Sequence, residues 1–477
     1  MDLDELAGRL DASADRVGPE INRTVQQQAR LLRALIRENA SGRPGPNIIT
    51  GQYFDSWRSE PFHVPEGGGA TVGTNRPQGR RLEYGFVGTD SIGRHYCVDM
   101  ETEALSRSGW VTHEQLEEGQ EVLTLNPETR LSEWQPVTHI YRSTGMHDLV
   151  RMESTTFSSL TTPDHRWPVQ RYYGRKKVWL SDTRTTEQLA NNHRITRAAP
   201  CANLPTSSPH SDALVELAGW FWTEGSYDWG RKDGKPLVGV RAIGIRISQS
   251  PVVNPGNVES IRRCLYTLFG EPGGFSEGAH WKEAQNRWTK VITFRVDRVG
   301  AWLLENIVSR PEKIIAPEFL TSLTERQLQI FIDTSMKADG FLSQTEVPVM
   351  GQKSLNRLRS FEIACALLGQ PTTTRVHSRK TGMWVTSLLK KSTCNPKANA
   401  TRTDGKAWRS VYESVQERTT IWCPTTPNGT WLARRRGTVY FTGNSQPPFP
   451  HVAPAVNELS PEYERAFHAA CDRIFGG

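Results

Sequence analysis

The sequence contains no run of eighteen apolar residues, so nothing in it reads as a membrane-spanning helix. It has no CxxC pair either. Its seven cysteines (97, 201, 264, 365, 394, 423 and 471) are odd in number and widely scattered. That argues against a disulfide framework or a zinc knuckle and predicts reduced thiols in a cytoplasm. The opening MDLDELAGRL is acidic and lacks the apolar stretch of a secretory signal. A strong excess of charge of one sign is also missing: 58 Lys and Arg against 51 Asp and Glu leave a net +7, a weak hint of a polyanionic partner. What is present is length, 477 residues, enough for two to four domains each with a core of its own.

The texture changes along the chain. Residues 2–40 carry Leu3, Leu6, Leu10, Val17, Ile21, Val25, Leu32 and Leu35 at three- and four-residue steps, which predicts a helix with a kink at Gly18-Pro19. SGRPGPNIITG (41–51) is turn-rich, and 52–96 holds short strand-like runs broken by GGG and NRP. From Cys97 to about Val169, stretches such as EVLTL and DLVRM alternate between turns, the pattern of an all-β unit. Residues 190–212 are rich in Pro and Ser and read as a linker, helical periodicity mixed with strands runs to about 370, and 418–444 returns to β texture. In SPEYERAFHAACDRIF, Ser460 suits a helix N-cap and Pro461 the first helical position. A β unit broken by an α/β insertion, and itself breaking a third unit, needs explaining.

CVDMETEALSRSGWVTHEQLEEGQEVLTL (97–125), LTTPDHRWPV (160–169) and WCPTTPNGTWLARRRGTVYFTGNS (422–445) resemble, in order, the opening, second and closing sequence blocks of inteins. The resemblance implies an all-β, horseshoe-like Hint splicing domain. It implies that Cys97 attacks the Tyr96 carbonyl to give a thioester, that Thr162 and His165 polarise that amide, and that His165 protonates the departing nitrogen. Ser445 then takes the acyl group, and Asn444 cyclises to release residues 97–444. A thiol suits the first step because it reaches thiolate more easily than an alcohol reaches alkoxide. Two features depart from the common pattern. Gly443 stands where most inteins carry a His. Trp167, Cys423 and Thr442 match the triplet of the group called class 3, in which the internal Cys attacks first. That group generally lacks the N-terminal Cys, so Cys97 and Cys423 are rival first nucleophiles, the triplet and Ser445 favouring Cys423.

LVELAGWFWTEGSY (214–227) and LQIFIDTSMKADGF (328–341) resemble the two LAGLIDADG helices of homing endonucleases. Small residues (Ala218, Gly219, Thr334, Ser335) permit close helix approach. The resemblance implies that Glu224 and Asp339, 115 positions apart, hold Mg²⁺ against a scissile phosphate, each followed by a glycine helix cap. EKIIAP (312–317) resembles the family's Lys-x-x-x-Pro block, making Lys313 a catalytic candidate, while Trp220 and Trp222 are bulky for such a seam. RYYGRKKVWL (171–180) and KTGMWVTSLLKK (380–391) are basic and aromatic, open to DNA phosphates or to an ordinary β surface.

These readings divide the chain into 1–96, 97–189, a linker 190–212, an α/β endonuclease 213–395, 396–444 and 445–477. Removing 97–444 leaves 129 residues, an α+β unit split at both ends. The joined segments resemble phage head–tail connector or minor tail proteins. That implies phage structural partners, splicing in a host bacterial cytoplasm, a spliced product in the virion, and double-stranded DNA as the other partner. Competing readings are an endonuclease with a dead splicing domain, a hedgehog-like processing module, an inert insertion in a structural protein, and a small DNA-binding phage protein as host.

Overall fold

Alternating apolar and polar residues decide most of this chain, and the computed structural model is accordingly rich in strands. It describes residues 2–41, 51–64, 67–76, 79, 82–83, 95–239, 242–270, 274–284, 287–378, 380–395, 411–443 and 451–475. Asn444 and Ser445 lie outside the described residues. Contacts divide the chain into two compact units, Met1–Phe86 with Gln446–Gly477, and Val87–Ser445.

The first unit is assembled from both ends of the sequence. Helix α1 (Leu3–Asn39) is capped by the Asp2 side chain and runs through Pro19 without interruption. After α2 (Gln52–Asp55) come β1 (Arg58–Val64) and β2 (Gly67–Gly73), an antiparallel pair in which the GGG run is part of the strand and does not break it. The closing helix spans Val452–Phe475, nine residues longer at its start than the sequence predicts. Its N-terminus is satisfied from a distance: the Glu83 carboxylate accepts from the amides of His451, Val452 and Ala453. With that partner, Ser460 is no cap, and its hydroxyl bonds back to Val456 O. Trp57, Ile36 and Ala455 form the centre of this core.

In the second unit, β3 (Val98–Asp99), β4 (Glu103–Ser106), β5 (Gly109–Val111), β6 (Glu121–Leu125), β7 (Ser132–Pro136), β8 (His139–Ser154), β9 (Phe157–Thr161), β10 (Arg166–Tyr173), β11 (Val178–Thr185) and β12 (His193–Thr196) precede the helical region. Helix α3 (Asp212–Glu224) then leads to β13 (Gly225–Trp229), β14 (Arg231–Lys232), β15 (Lys235–Pro236), β16 (Ala242–Gln249), α4 (Pro255–Phe269), β17 (Ser276–Ala284), β18 (Arg287–Val296), α5 (Arg298–Leu303) and α6 (Pro317–Thr321). Helix α7 (Glu325–Asp339) begins the next stretch, followed by β19 (Gly340–Leu342), β20 (Pro348–Gln352), α8 (Leu355–Leu367), β21 (Thr372–Ser378), β22 (Met383–Leu388) and β23 (Thr393–Cys394). Last come β24 (Val411–Thr425), β25 (Thr430–Arg435) and β26 (Thr438–Gly443).

Three arrangements of these strands matter for the site. Strands β24, β3, β9 and β8 close a barrel, with β8 and β24 paired over their whole length. Strands β13-β16-β18-β17 form one sheet beside α3. A ten-stranded sheet runs β19-β20-β22-β21-β26-β25-β4-β6-β7, with β5 beside β4, so the inserted region and the flanking β region share one sheet. The expected linker is partly built into this fold. Strand β12 occupies 193–196, and the Ala199 carbonyl accepts from Ser132 Oγ at 2.8 Å while Cys201 N donates to Leu367 O. Its Pro and Ser residues are compatible with both an open tether and this packed crossover, and composition alone does not distinguish them.

Candidate functional site

The Tyr96–Cys97 peptide bond is held from both of its polar ends. Cys97 continues into β3, and Thr162 follows β9 directly, so the register that pairs Val98 with Thr161 sets Cys97 against Thr162. The Cys97 amide donates to Thr162 Oγ1 at 3.0 Å, the Thr162 amide returns to Cys97 O, and the Thr162 hydroxyl donates to His95 O at 2.6 Å. On the other side, His165 Nδ1 lies 3.1 Å from Tyr96 O. A carbonyl only accepts, so Nδ1 carries the proton, and Nε2 accepts from the Thr442 hydroxyl at 2.5 Å. Burial pushes His165 down to about 4 against the opposing bond to the Tyr96 carbonyl, so the ring is neutral at physiological pH.

The sequence reading gave His165 the task of protonating the leaving nitrogen. Its geometry is different: the ring faces the carbonyl oxygen, and the nitrogen belongs to Thr162. A neutral N–H aimed at that oxygen stabilises the negative charge developing there when a nucleophile adds.

Trp167, Cys423 and Thr442, which the sequence singles out as a triplet, meet around this bond. Trp167 is buried edge-on to His165 at 5.2 Å between ring centres, and its indole N–H is fixed by Thr186 Oγ1 at 2.9 Å. Thr442 holds the far nitrogen of His165. Cys423 is buried in one apolar cluster with Cys97, Leu149, Leu160 and Ile421. Burial pushes the Cys97 thiol up, and the nearby Cys423 pushes it further in the same direction. Gly443 has a physical reason for replacing His. A Cβ built there would sit 2.6 Å from Arg166 O, because the end of β26 presses on the backbone of β10. Thr186 was not singled out from the sequence, and a lone Thr in a Thr-rich run carries no signal of its role.

The second constellation lies in the inserted region. Helices α3 and α7 pack at Gly219, where a Cβ would be 2.9 Å from Thr334 Cβ. Trp222, bulky as it is, tightens the seam: its indole donates to Ser335 Oγ at 2.8 Å and stacks on Phe331. Trp220 is buried as well and donates to Glu216. Gly225 and Gly340 stand at the helix C-caps, as expected, their amides donating to Phe221 O and Met336 O, but they are extended, with φ of −82° and −80°, not left-handed. They are glycine because a Cβ would strike Phe221 O at 2.5 Å and Met336 O at 2.3 Å, where each helix turns straight into a strand.

Each helix-terminal acid is held by a glutamine: Gln249 Nε2 donates to Glu224 Oε1 at 3.1 Å, and Gln352 Nε2 to Asp339 Oδ2 at 2.5 Å. These glutamines are 25 and 13 positions from their acids, so no spacing betrays them. Lys313 is buried, not solvated. Its Nζ donates to Gly225 O at 2.5 Å and to Thr223 O at 3.3 Å, and both acids attract its charge. Burial lowers it to about 8, with Arg357 pushing the same way. Burial also raises Asp339.

Among the described residues no group of three or more His, Cys, Asp or Glu could hold a metal. Two hard carboxylates, that of Asp339 raised by burial, nonetheless suit a divalent cation whose other ligands are water and phosphate. The basic stretch 171–180 forms the β10–β11 hairpin, where Arg194 lies over Trp179 at 3.8 Å, and 383–388 is β22 inside the shared sheet.

The fold and these two sites define a multidomain, mostly β protein with one polarised peptide bond and one pair of helix-terminal acids. No protein-family description matches the sequence, and no curated protein does. Among solved structures the chain is similar to the homing endonuclease I-DmoI in complex with DNA and Mn (12% identity, 37% of this chain and 89% of that one, TM-score 0.27). It is similar also to the AceL NrdHF class 3 split intein in a GSH-linked, splice-inactive variant (14% identity, 21% and 63%, TM-score 0.19). A third is a bacterial intein-like domain from Clostridium thermocellum (17% identity, 22% and 67%, TM-score 0.18).

Proposed function

We propose that this chain is a self-splicing precursor in which residues 97–444 excise themselves and join Tyr96 to Ser445. The observation that carries the reading is the bridge Tyr96 O···His165···Thr442, which brings the first peptide bond within two hydrogen bonds of a residue two positions before Asn444. A buried thiol adds to the Tyr96 carbonyl while His165 Nδ1–H holds the oxyanion and Thr162 Oγ1 stays on the departing nitrogen. Ser445 takes the acyl group as an ester, Asn444 cyclises through its side-chain amide to break the second junction, and the ester rearranges to a peptide. Expression under reducing conditions yields a 129-residue product and a free 348-residue segment. Recovery of intact precursor alone sinks the reading, and Asn444→Ala blocks release at the second junction.

The excised segment also cuts double-stranded DNA. Glu224 and Asp339 would hold Mg²⁺, which would supply charge neutralisation and an activated water; Gln249 and Gln352 orient the acids, and the charge of Lys313 is felt by both. Cleavage of a DNA spanning the uninterrupted host gene, lost in Asp339→Asn, tests this.

The host formed by the two flanking segments is a phage head–tail connector or minor tail protein. Its support is that both ends of the chain make one compact unit with no catalytic constellation among its described residues. Immunodetection of the 129-residue product in purified virions tests it.

A further inference from the structure

Two thiols lie beside one peptide bond, and rival claims to be the first nucleophile treat one of them as superfluous. The sheet register says how they are related. On β24 and β3, Ile421 pairs with Asp99 and Trp422 with Val98. One further step of the same register sets Cys423 opposite Cys97. The backbone N–H and C=O of Cys97 are both turned to Thr162, away from β24. Cys97 and Cys423 therefore occupy a non-hydrogen-bonded cross-strand position, the kind in which Cα atoms come to about 4.5 Å and side chains on one face are nearest. Both side chains belong to the same five-residue apolar cluster.

Resting on the splicing reading above, we propose that Cys97 and Cys423 act in series, as an acyl relay across the β3–β24 pair. Cys97 Sγ adds to the Tyr96 carbonyl carbon; the C–S bond forms, the C–N bond breaks, and the thiol proton ends on the freed Cys97 amine. Cys423 Sγ then adds to the same carbon, the bond to Cys97 Sγ breaks, and the Cys423 proton passes to the Cys97 sulfur. No electrons are gained or lost, and one thioester replaces another.

Each half of the relay uses what its thiol does best. Breaking the amide is the difficult step, and Cys97 is next to that carbon in the chain, an effective concentration no cross-strand group matches. Exchange between thiols is nearly balanced and needs only closeness, which the register supplies. The acyl oxygen is the same atom throughout, so a single donor, His165 Nδ1–H, stabilises both tetrahedral intermediates without moving. Facing thiols also disfavour simultaneous ionisation, so a single negative charge is handed across.

The test uses the full chain carrying Asn444→Ala, which arrests splicing after the acyl group reaches Ser445 and allows the branched ester to accumulate. This parent is compared with Cys97→Ala and Cys423→Ala made in it, by intact mass and by dithiothreitol release of residues 1–96. The relay requires that Cys97→Ala form neither branched ester nor releasable thioester. Cys423→Ala must form the releasable thioester and no branched ester. Branched ester in Cys97→Ala means Cys423 attacks unaided; branched ester in Cys423→Ala means Cys97 passes the acyl group straight to Ser445. Either overturns the relay, as does a Cys423→Ala chain without releasable thioester. A Cys97→Ser chain, close to Cys in size, guards against misfolding: branching slows on the order of a hundredfold, and an unchanged rate overturns the relay. A parent that neither branches nor releases 1–96 defeats the splicing reading itself, and the relay with it.

Discussion

At the scale of single residues, His165 is the group on which the splicing reading turns. It is fully buried, neutral, and tied at both nitrogens. Its folded value near 4 lies below the ordinary 6.5, so protonation favours the unfolded chain. The stability this contributes is present above pH 6.5 and is lost as pH falls through 4, at most about 3 kcal/mol. Thermal melts between pH 7 and pH 4 should show a steeper loss for the parent than for His165→Gln, which has no ring to protonate. The same variant loses the oxyanion donor and should form thioester about a hundredfold more slowly. Gly443 offers a second check. If the missing His were a mere loss of function, restoring it would help. The contact with Arg166 O predicts the reverse: Gly443→His, like Gly443→Ala, should slow release at Asn444 at least tenfold, read as the rate of free-segment appearance.

At the scale of elements, the seam between α3 and α7 and the turns that end it carry the nuclease reading. Gly219→Val would put methyl groups into Thr334, and the seam should lose about 1–3 kcal/mol, read as a lower melting temperature together with weaker DNA cutting. Asp339→Asn keeps the seam and should abolish cutting while splicing continues, because the groups that Asp339 meets, Gln352, Lys313 and Arg357, belong to the inserted region.

Much of this was legible in the sequence, because small residues at helical spacing and an acid before glycine have local causes. Cys97, Thr162 and His165 were legible for a similar reason: reactive residue types at a fixed order. What was not legible depends on distant partners. The early start of the last helix follows from Glu83, more than 360 positions away. Gln249 and Gln352 reach their acids from strands whose pairing no local pattern fixes. The glycines at 225 and 340 cap their helices in an extended conformation, and the close approach of Phe221 O and Met336 O that requires glycine there shows only in the fold.

At the scale of the whole molecule, the inserted region and the splicing strands are not separable lobes. Strand β21 pairs with β26 at Thr373 and Thr438, the Thr374 amide donates to Gly437 O at 2.7 Å, and Arg434 of β25 is buried against Glu362 of α8 at 2.8 Å. Strand β26 is also the one that delivers Thr442 to His165. Glu362→Ala should therefore slow splicing severalfold, although Glu362 belongs to the inserted region. It leaves a buried guanidinium nitrogen short of its acceptor, at a cost of about 1–3 kcal/mol. A splicing rate equal to that of the parent would show that the shared sheet transmits nothing to the site.

The shared sheet also bears on how such a gene can change over generations. On the proposed reading, a nuclease that no longer benefits its carrier can lose Glu224 or Asp339 by single substitutions without harming the host protein, since each acid is held by a glutamine of the inserted region. It cannot be discarded as a block. A deletion of the insertion removes β21 and α8, exposing one side of β26 and taking Glu362 from Arg434, which is left with Glu103 alone. Lineages of this chain should accordingly keep Glu362, Thr373 and Thr374 long after the acids have drifted, a dead enzyme retained as scaffolding for the reaction that removes it.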